Sequence, residues 1–404
     1  MTLSLFSPVR ADLLDSAEYR KILQINEQVS KQYAPDKRTA VFEWLTPDDR
    51  TPFFRVTTSE AAAREELIRQ LADHRIAQTK VRINLLPDSS VAGNPAGIVN
   101  LSVANLRSAP GHQTELATQA LLGTKVDLLQ QRDEYYRVRT PDGYISWVHF
   151  SSVTPMDDRT LQSWLEAPKV IFTSDYGHAY TTPDERSLRV SDLVMGNILV
   201  AEGNENGFVR VRYPDGRSGY VRSGSVAQFD HWLGGLTPSA ASVIEIAKTM
   251  MGVPYLWGGT SVKGVDCSGF TKTAFFMNGF VIPRDASQQV LAGEPVDILT
   301  DGRLDTVKAL KNLQPADLLF FASGSGRTPD ARVTHVALYL GNGEFIHAAG
   351  TVRINSMLPS APHYADFESR TLIAARRYLG QADPAVRPLS TDPYYTQTLK
   401  NIPR

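Results

Sequence analysis

The chain has 404 residues, a length that suggests two or three domains of about 150 residues each. Hydrophobic residues make up 42% of it, with 28 Gly and 24 Pro, a globular composition that excludes collagen-like, low-complexity and disordered chains. Its one cysteine, Cys267, excludes an intrachain disulfide and a structural zinc site built from several cysteines.

The charge is balanced, with 42 basic and 43 acidic residues and no long run of either sign. This argues against binding to nucleic acids or to anionic membranes. No segment reaches the ~18 apolar residues of a membrane span, and residues 1–8 lack the basic flank and apolar core of a secretory signal. We therefore expect a cytoplasmic monomer without a cofactor, or a protein of the periplasm or cell envelope if this is a mature form.

An internal repeat occupies the middle of the chain. Residues 137–153 and 210–226 are identical at nine of seventeen positions without a gap, at a period of 73 residues. Each copy has short alternating segments and a Pro-Asp-Gly turn, in which Gly supplies the positive φ. The pattern resembles bacterial SH3-like domains, and we place two of them at residues 77–156 and 157–232.

The two ends of the chain differ from the repeat. Residues 1–76 are expected to form a small α/β segment, with strands near 39–45 and 53–56 and a helix that begins at the N-cap Ser59 and ends near His74. Residues 379–404 are rich in Pro, Asp and Thr and indicate an extended or docked tail.

Residues 233–378 combine helices with a sheet. Thr237 and Pro238 suit the N-cap and first position of a helix that ends before Gly252. Asp266 is a plausible N-cap of the next helix, which places Cys267 in its first turn. A helix start favours a thiolate, so we expect a lowered pKa for Cys267. The alternative is that Cys267 is an inert, buried thiol.

A thiol nucleophile needs a base, and two of the eight histidines lie on neighbouring strands. His335 lies in an alternating strand, and His347 follows the turn at residues 341–343. A two-residue loop would place the two histidines on opposite faces of the hairpin, whereas a three-residue loop would pair His347 with Ala337 on the face of His335. The remaining histidines have positions typical of solvated or structural residues: His74, His112, His149, His178, His231 and His363.

Together, these segments resemble the NlpC/P60 family of cysteine peptidases over residues 237–378. The similarity lies in Trp257-Gly258-Gly259, Asp266-Cys267-Ser268-Gly269-Phe270, His335 to Gly341 and Phe345-Ile346-His347-Ala348. It implies an α+β, papain-like domain in which Cys267 attacks, His335 transfers the proton and His347 orients His335. It also implies hydrolysis of peptidoglycan stem peptides, commonly between γ-D-glutamate and a diamino acid, either diaminopimelate or lysine.

The order of domains resembles that of γ-D-glutamyl-L-diamino acid endopeptidases that require a free N-terminal L-Ala. In that subgroup the first SH3-like domain closes one end of the cleft, and acidic and tyrosyl groups hold the substrate amine. The resemblance implies Glu115, Tyr144 and Asp266 for this role. Glu115 and Tyr144 align with Leu188 and Arg217 of the second copy, which lacks both polar groups. The alternative is that Glu115 is only a surface charge and that Tyr144 is only a structural aromatic residue of the barrel.

Further residues could complete the substrate pocket: Tyr255, Trp257, Ser268 and Asp285. Ala286 stands where the family would have a small polar residue, with Ser287 one position later. Two other functions fit the same pattern: a wall-binding protein with an inert C-terminal domain, and an N-acetylmuramoyl-L-alanine amidase or acyltransferase on the same fold.

Overall fold

The computed structural model describes residues 17–48, 50–364 and 369–396 of the chain. Residues 1–8, in which the sequence predicts no secretory signal, lie outside this described part. Helices and sheets alternate within it, in agreement with the expected α+β class. No helix among the described residues is both long enough and apolar enough to cross a membrane.

The N-terminal segment is a three-stranded sheet covered by two helices. Its second and third strands are parallel, and the second helix connects them. The third strand lies beyond residue 76, where the sequence suggests the boundary, because a parallel crossover must return the chain to the sheet. Ser59 is not the N-cap of that helix. Its hydroxyl accepts a bond from the Val41 amide, and Glu60 takes the N-cap position. The elements are α1 (Ala17–Tyr33), β1 (Phe42–Leu45), β2 (Phe54–Thr58), α2 (Ala61–Asp73) and β3 (Val81–Leu85).

The repeat forms two seven-stranded antiparallel sheets, here called the first repeat and the second repeat. Each strand of the second repeat begins 73 residues after its counterpart in the first. Gly143 and Gly216 close the two Pro-Asp-Gly turns with φ of 81° and 86°. The first repeat contains β4 (Ala96–Val99), β5 (Val103–Arg107), β6 (Leu116–Leu121), β7 (Lys125–Arg132), β8 (Tyr135–Arg139), β9 (Ile145–His149) and β10 (Val153–Met156). The second contains β11 (Lys169–Phe172), β12 (Tyr176–Tyr180), β13 (Arg189–Val194), β14 (Ile198–Glu205), β15 (Phe208–Arg212), β16 (Ser218–Arg222) and β17 (Val226–Gln228).

Two helices connect these sheets to their neighbours. Helix α3 (Asp158–Glu166) follows the first repeat, and α4 (Phe229–Gly235) follows the second. Each repeat has its own apolar core, but Ile171, Met195 and Ile198 of the second repeat belong to the core of the C-terminal unit. The second repeat is therefore packed against the C-terminal unit as a support.

The C-terminal unit is a six-stranded antiparallel sheet with helices packed against it. Its first helix begins later than the sequence predicts. Ser239 is the N-cap and forms a capping box with Ser242, so Thr237 and Pro238 precede the helix. The helices are α5 (Ala240–Thr249), α6 (Cys267–Phe276), α7 (Ala286–Gln289) and α8 (Thr306–Asn312). The sheet strands are β21 (Glu294–Pro295), β24 (Leu318–Ser323), β25 (Val333–Gly341), β26 (Glu344–Ala349), β27 (Thr351–Ser356) and β28 (Arg370–Arg377). They pair in the order β21-β28-β24-β25-β26-β27.

Short two-stranded ladders complete this unit: β18 (Thr260–Ser261) with β19 (Gly264–Val265), β20 (Phe280–Val281) with β29 (Arg387–Pro388), and β22 (Leu299–Thr300) with β23 (Arg303–Leu304). The β20–β29 ladder holds the tail, which continues to the first repeat. There the Tyr394 hydroxyl donates a hydrogen bond to Asp127, and the Arg387 guanidinium donates to the carbonyl of Pro141. The described part of the tail thus contacts both the C-terminal unit and the first repeat.

Candidate active site

The candidate nucleophile opens helix α6. Cys267 is the first residue of this helix and is 6% exposed. Asp266 is the N-cap, as the sequence predicts, and its Oδ1 accepts a 2.7 Å hydrogen bond from the Gly269 amide. The backbone N–H of Val336, on strand β25, contacts the Cys267 sulfur and lowers the pKa of the thiol. The helix start and the histidine-bearing strand therefore meet at the thiol.

The protonation of Cys267 differs from the expectation. Burial raises the pKa of this thiol to about 11, and the neighbouring charge of Asp266 acts in the same direction. The helix start and the Val336 amide act in the opposite direction, but they do not offset the loss of water around the sulfur. The thiol is consequently neutral at neutral pH and needs a base to become a nucleophile.

The hairpin of β25 and β26 places the two histidines on one face. Its loop has two residues, Asn342 and Gly343, both with positive φ, and a β-bulge between Tyr339 and Gly341 shifts the register. Tyr339 then pairs with Phe345, which puts His347 on the same face as His335. A two-residue loop with a bulge therefore places the two histidines on one face, as a three-residue loop would have done.

The two imidazoles are hydrogen-bonded to each other. His335 Nε2 lies 2.8 Å from His347 Nδ1, and both rings are almost fully buried. Burial, together with the charges of Arg370, His347 and Arg353, lowers the pKa of His335 well below its usual value. His335 is therefore neutral and able to accept a proton.

A third polar side chain, that of Asn355 on β27, is hydrogen-bonded to His347. Its Oδ1 lies 2.8 Å from His347 Nε2, and its side chain is buried. Sequence reasoning missed Asn355 because nothing in the local pattern distinguishes it from other polar residues of an alternating strand. Only the pairing of β26 with β27 brings it to the histidine.

The Asp266 carboxylate is already surrounded by donors. It accepts from the amides of Gly258 and Gly269, from the Ser268 hydroxyl and from two nitrogens of Arg284. Arg284 is 1% exposed, and its Nε donates to Thr118 of the first repeat. Asp266 and Ser268 thus belong to a buried network that fixes the start of α6 and ties it to the first repeat, and this network leaves Asp266 little capacity for a substrate ammonium.

The loop before Cys267 lies against the first repeat. Gly258 has φ of 79°, and a Cβ at this position would come within 2.5 Å of the carbonyl oxygen of Leu116. Beside this contact, Trp257 Nε1 donates a 2.8 Å hydrogen bond to Glu115 Oε1. Trp257 is 60% exposed and Glu115 is also exposed, so both line an open surface next to the nucleophile loop.

Tyr144 and Asp285 meet at a second junction. The buried Tyr144 points its hydroxyl at Asp285 Oδ2, at 3.4 Å. Arg38, from the N-terminal segment, donates to the same oxygen at 2.8 Å and is held by Asp36. No local pattern singles out Arg38 or Asp36, because only the tertiary arrangement brings this segment to the site.

The position of the expected small polar residue is buried and apolar. Ala286 is 6% exposed, whereas the Ser287 hydroxyl accepts a hydrogen bond from Arg38. Tyr255 is 36% exposed; burial and the charges of Cys267 and Asp266 raise its pKa, which places it beside the nucleophile. Among the described residues, no group of three or more His, Cys, Asp or Glu is arranged to hold a metal ion.

Comparison with known proteins gives two family matches. The model of the NlpC/P60 family matches residues 252–371, and that of the bacterial dipeptidyl-peptidase Sh3 domain matches residues 106–153. The first match spans Cys267, His335, His347 and Asn355, and the second spans Glu115 and Tyr144.

Similar proteins agree with these matches. The chain is 31% identical over 279 residues to a gamma-D-glutamyl-L-lysine dipeptidyl-peptidase of Bacillus cereus, covering 66% of this chain and 76% of that protein. It is 28% identical over 296 residues to dipeptidyl-peptidase 6 of Lysinibacillus sphaericus, covering 69% and 97%. A crystal structure of an NlpC/P60 family protein from Bacillus cereus superposes with a TM-score of 0.57 at 26% identity, covering 70% of this chain and 99% of that one.

Proposed function

The chain belongs to the NlpC/P60 family of cysteine peptidases, and we propose that it hydrolyses the γ-D-glutamyl to L-diamino acid bond of peptidoglycan stem peptides that carry a free N-terminal L-Ala. The name of the similar protein from Bacillus cereus, a gamma-D-glutamyl-L-lysine dipeptidyl-peptidase, supports this bond, and that of the Lysinibacillus sphaericus protein, dipeptidyl-peptidase 6, supports release of a dipeptide. We assign Cys267 as nucleophile, His335 as general base and acid, and His347 as the residue that orients His335.

The proposed reaction starts from a neutral thiol and a neutral imidazole. His335 takes the proton of Cys267 as the sulfur attacks the γ-carbonyl carbon of D-glutamate. The resulting imidazolium protonates the nitrogen of the diamino acid, the C–N bond breaks, and a thioester remains on Cys267. Water, deprotonated by His335, then hydrolyses the thioester and regenerates the thiol.

Backbone amides at the start of α6 are suited to stabilise the oxyanion. The Ser268 N–H already contacts the Cys267 sulfur, so the first turn points its unpaired donors toward the reacting atoms. A donor aimed at the developing oxyanion contributes about 3 kcal/mol to the transition state. The Cys267 N–H is the second donor in this proposal.

The contact between Trp257 and Glu115 supports the proposed requirement for a free amine. It brings a carboxylate of the first repeat to the loop that precedes the nucleophile. A bound substrate ammonium that loses part of its water needs a carboxylate and further acceptors, because an unpaired charge away from water is costly. We assign the hydroxyl oxygen of Tyr144, at the junction with Asp285, as a further acceptor. We place Asp266 in the support of this pocket, since Arg284 and three other groups already bind its carboxylate.

Four further residues have subordinate roles in the proposal. Tyr255 and Trp257 form the walls of the cleft, Ser268 fixes the start of α6, and Asp285 orients Tyr144. A pocket built for an ammonium excludes stem peptides still joined to muramic acid, whose alanine nitrogen is an uncharged amide. The proposed role is therefore turnover or recycling of released wall peptides, with peptidoglycan-derived peptides as the partners.

Mass spectrometry of products from defined muropeptides tests the reaction class. The free tripeptide L-Ala-γ-D-Glu-diaminopimelate should give L-Ala-D-Glu and diaminopimelate, and Cys267→Ala should give neither. Release of an intact stem peptide from a muramyl tripeptide would instead identify an amidase. Retention on wall material without cleavage would identify a binding protein. The lysine-containing tripeptide, assayed in parallel, identifies the preferred diamino acid.

A further inference from the structure

We propose that Asn355 is a positioning residue that sets the tautomers of both histidines and thereby leaves Nδ1 of His335 as the atom that receives the thiol proton. The proposal rests on the proposed function, since it assigns Asn355 to that reaction. Asn355 is 7% exposed on β27, and its side chain contacts the ring nitrogen of His347 that does not contact His335.

The orientation of the Asn355 amide is fixed by two partners of opposite kind. Its Nδ2 donates a 3.0 Å hydrogen bond to the backbone carbonyl of His363, a group that can only accept. Its Oδ1 accepts a 3.1 Å hydrogen bond from Nε of Arg353, a group that can only donate. Both contacts require the same orientation, so the oxygen of the amide faces His347.

That orientation determines where the protons lie on both rings. Because Asn355 Oδ1 is an acceptor, Nε2 of His347 must carry hydrogen. Neutral His347 then has its lone pair on Nδ1 and accepts from His335, so Nε2 of His335 must also carry hydrogen. Nδ1 of His335 is left as a lone pair, which is the form required of a general base.

A neutral amide at position 355 suits a dyad whose protonation is already disfavoured. Burial and the charges of Arg370 and Arg353 lower the pKa of His335. These two guanidinium groups disfavour a proton on the dyad, so Asn355 selects between its neutral tautomers. A carboxylate at position 355 would also accept from His347, but its charge would favour a protonated dyad.

Nitrogen-15 NMR of the imidazole side chains in the resting full-length enzyme reads the tautomers without turnover. We expect His335 and His347 both to carry hydrogen at Nε2, and Asn355→Leu to give mixed tautomers. Hydrogen at Nδ1 of His347 in the wild type, or an unchanged spectrum in a folded Asn355→Leu protein, would overturn the proposal. If the spectra agree with it but no stem peptide is cleaved, the proposed function fails and the tautomer assignment stands.

Kinetics on the free tripeptide separates positioning from packing. Asn355→Leu should lower kcat about 10–100-fold with KM within about threefold, the loss expected when a buried hydrogen-bond partner is removed. Asn355→Asp should keep kcat within about fivefold of the wild type and move the acid limb of the pH profile upward. Asn100→Leu, at an equally exposed site of the first repeat, should leave kcat unchanged. Equal losses in Asn355→Leu and Asn355→Asp, with an unmoved acid limb, would refute a role through the tautomers.

Discussion

Trp257 of the C-terminal unit donates a 2.8 Å hydrogen bond to Glu115 of the first repeat, across 142 positions of sequence. The tryptophan belongs to the loop that leads to Cys267, and the glutamate immediately precedes strand β6. The contact joins the unit to which we assign the chemistry to the repeat that we propose recognises the substrate. In the proposed function, substrate choice therefore depends on how the first repeat packs against the C-terminal unit.

Replacing Glu115 by Gln should weaken substrate binding selectively. A charge-assisted hydrogen bond contributes about 1.5–3 kcal/mol, so KM for the free tripeptide should rise about 10–100-fold while kcat changes little. Steady-state kinetics measures both constants. Glu134→Gln, an exposed carboxylate of the same repeat, is the matched control and should leave KM unchanged. Equal KM values in wild type and Glu115→Gln would remove Glu115 from the site.

The pH dependence of KM tests the charge of the substrate amine. An α-amino group has a pKa near 8, so the free tripeptide loses its positive charge above about pH 8. We expect KM of the wild type to rise through this range, because the neutral amine no longer pairs with Glu115. In Glu115→Gln the rise should flatten. A KM that is constant from pH 7 to pH 10 in the wild type would contradict an ammonium pocket.

Alkylation of the single thiol tests the protonation of the site. Burial raises the pKa of Cys267 to about 11, so the rate of reaction with iodoacetamide should climb with pH through about 11 rather than level off near neutrality. Since Cys267 is the one cysteine of the chain, intact mass reports this reaction alone. A rate that is already at its plateau at pH 7 would indicate a thiolate–imidazolium pair in the resting enzyme.

A buried ion pair between Asp142 and Lys272 should hold the first repeat against helix α6. The Asp142 side chain is fully buried; burial alone would raise its pKa, but Lys272 holds it below its usual value. Lys272→Met leaves that charge unpaired and should lower the free energy of unfolding by about 3–5 kcal/mol. Denaturant unfolding measures the loss.

Two further variants interpret this result. Lys308→Met breaks an ion pair of the C-terminal unit in which the Asp297 side chain is 67% exposed. This variant should lower the free energy of unfolding by less than about 1 kcal/mol. The double variant Asp142→Asn with Lys272→Met should recover part of the stability, because no unpaired charge remains. A loss in Lys272→Met no larger than in Lys308→Met would show that the pair does not hold the interface.

Local sequence patterns predicted the parts of the site that local physics determines. Asp266 caps its helix because a carboxylate one residue before the first turn satisfies unpaired amides, and this holds wherever the helix packs. The 73-residue repeat was detectable in the sequence because both copies retain the same Pro-Asp-Gly turn. The hairpin was predictable only as two alternatives, because a bulge near Leu340 depends on tertiary packing.

The rest of the site depends on contacts between distant segments. The raised pKa of Cys267 comes from burial, which no helix-start argument includes. The hydrogen-bonding capacity of the Asp266 carboxylate is largely used by Arg284, which also donates to the first repeat. Arg38 reaches Asp285 across 247 positions, and no sequence periodicity encodes such a contact.

The most direct measurement compares kcat/KM for L-Ala-γ-D-Glu-diaminopimelate with that for its N-acetylated form, with products identified by mass spectrometry. The proposed mechanism and pocket predict release of diaminopimelate from the free peptide, no release in Cys267→Ala, and a kcat/KM at least about 100-fold lower for the acetylated peptide. Equal rates on the two peptides, or cleavage at any bond other than that between γ-D-glutamate and diaminopimelate, would contradict it.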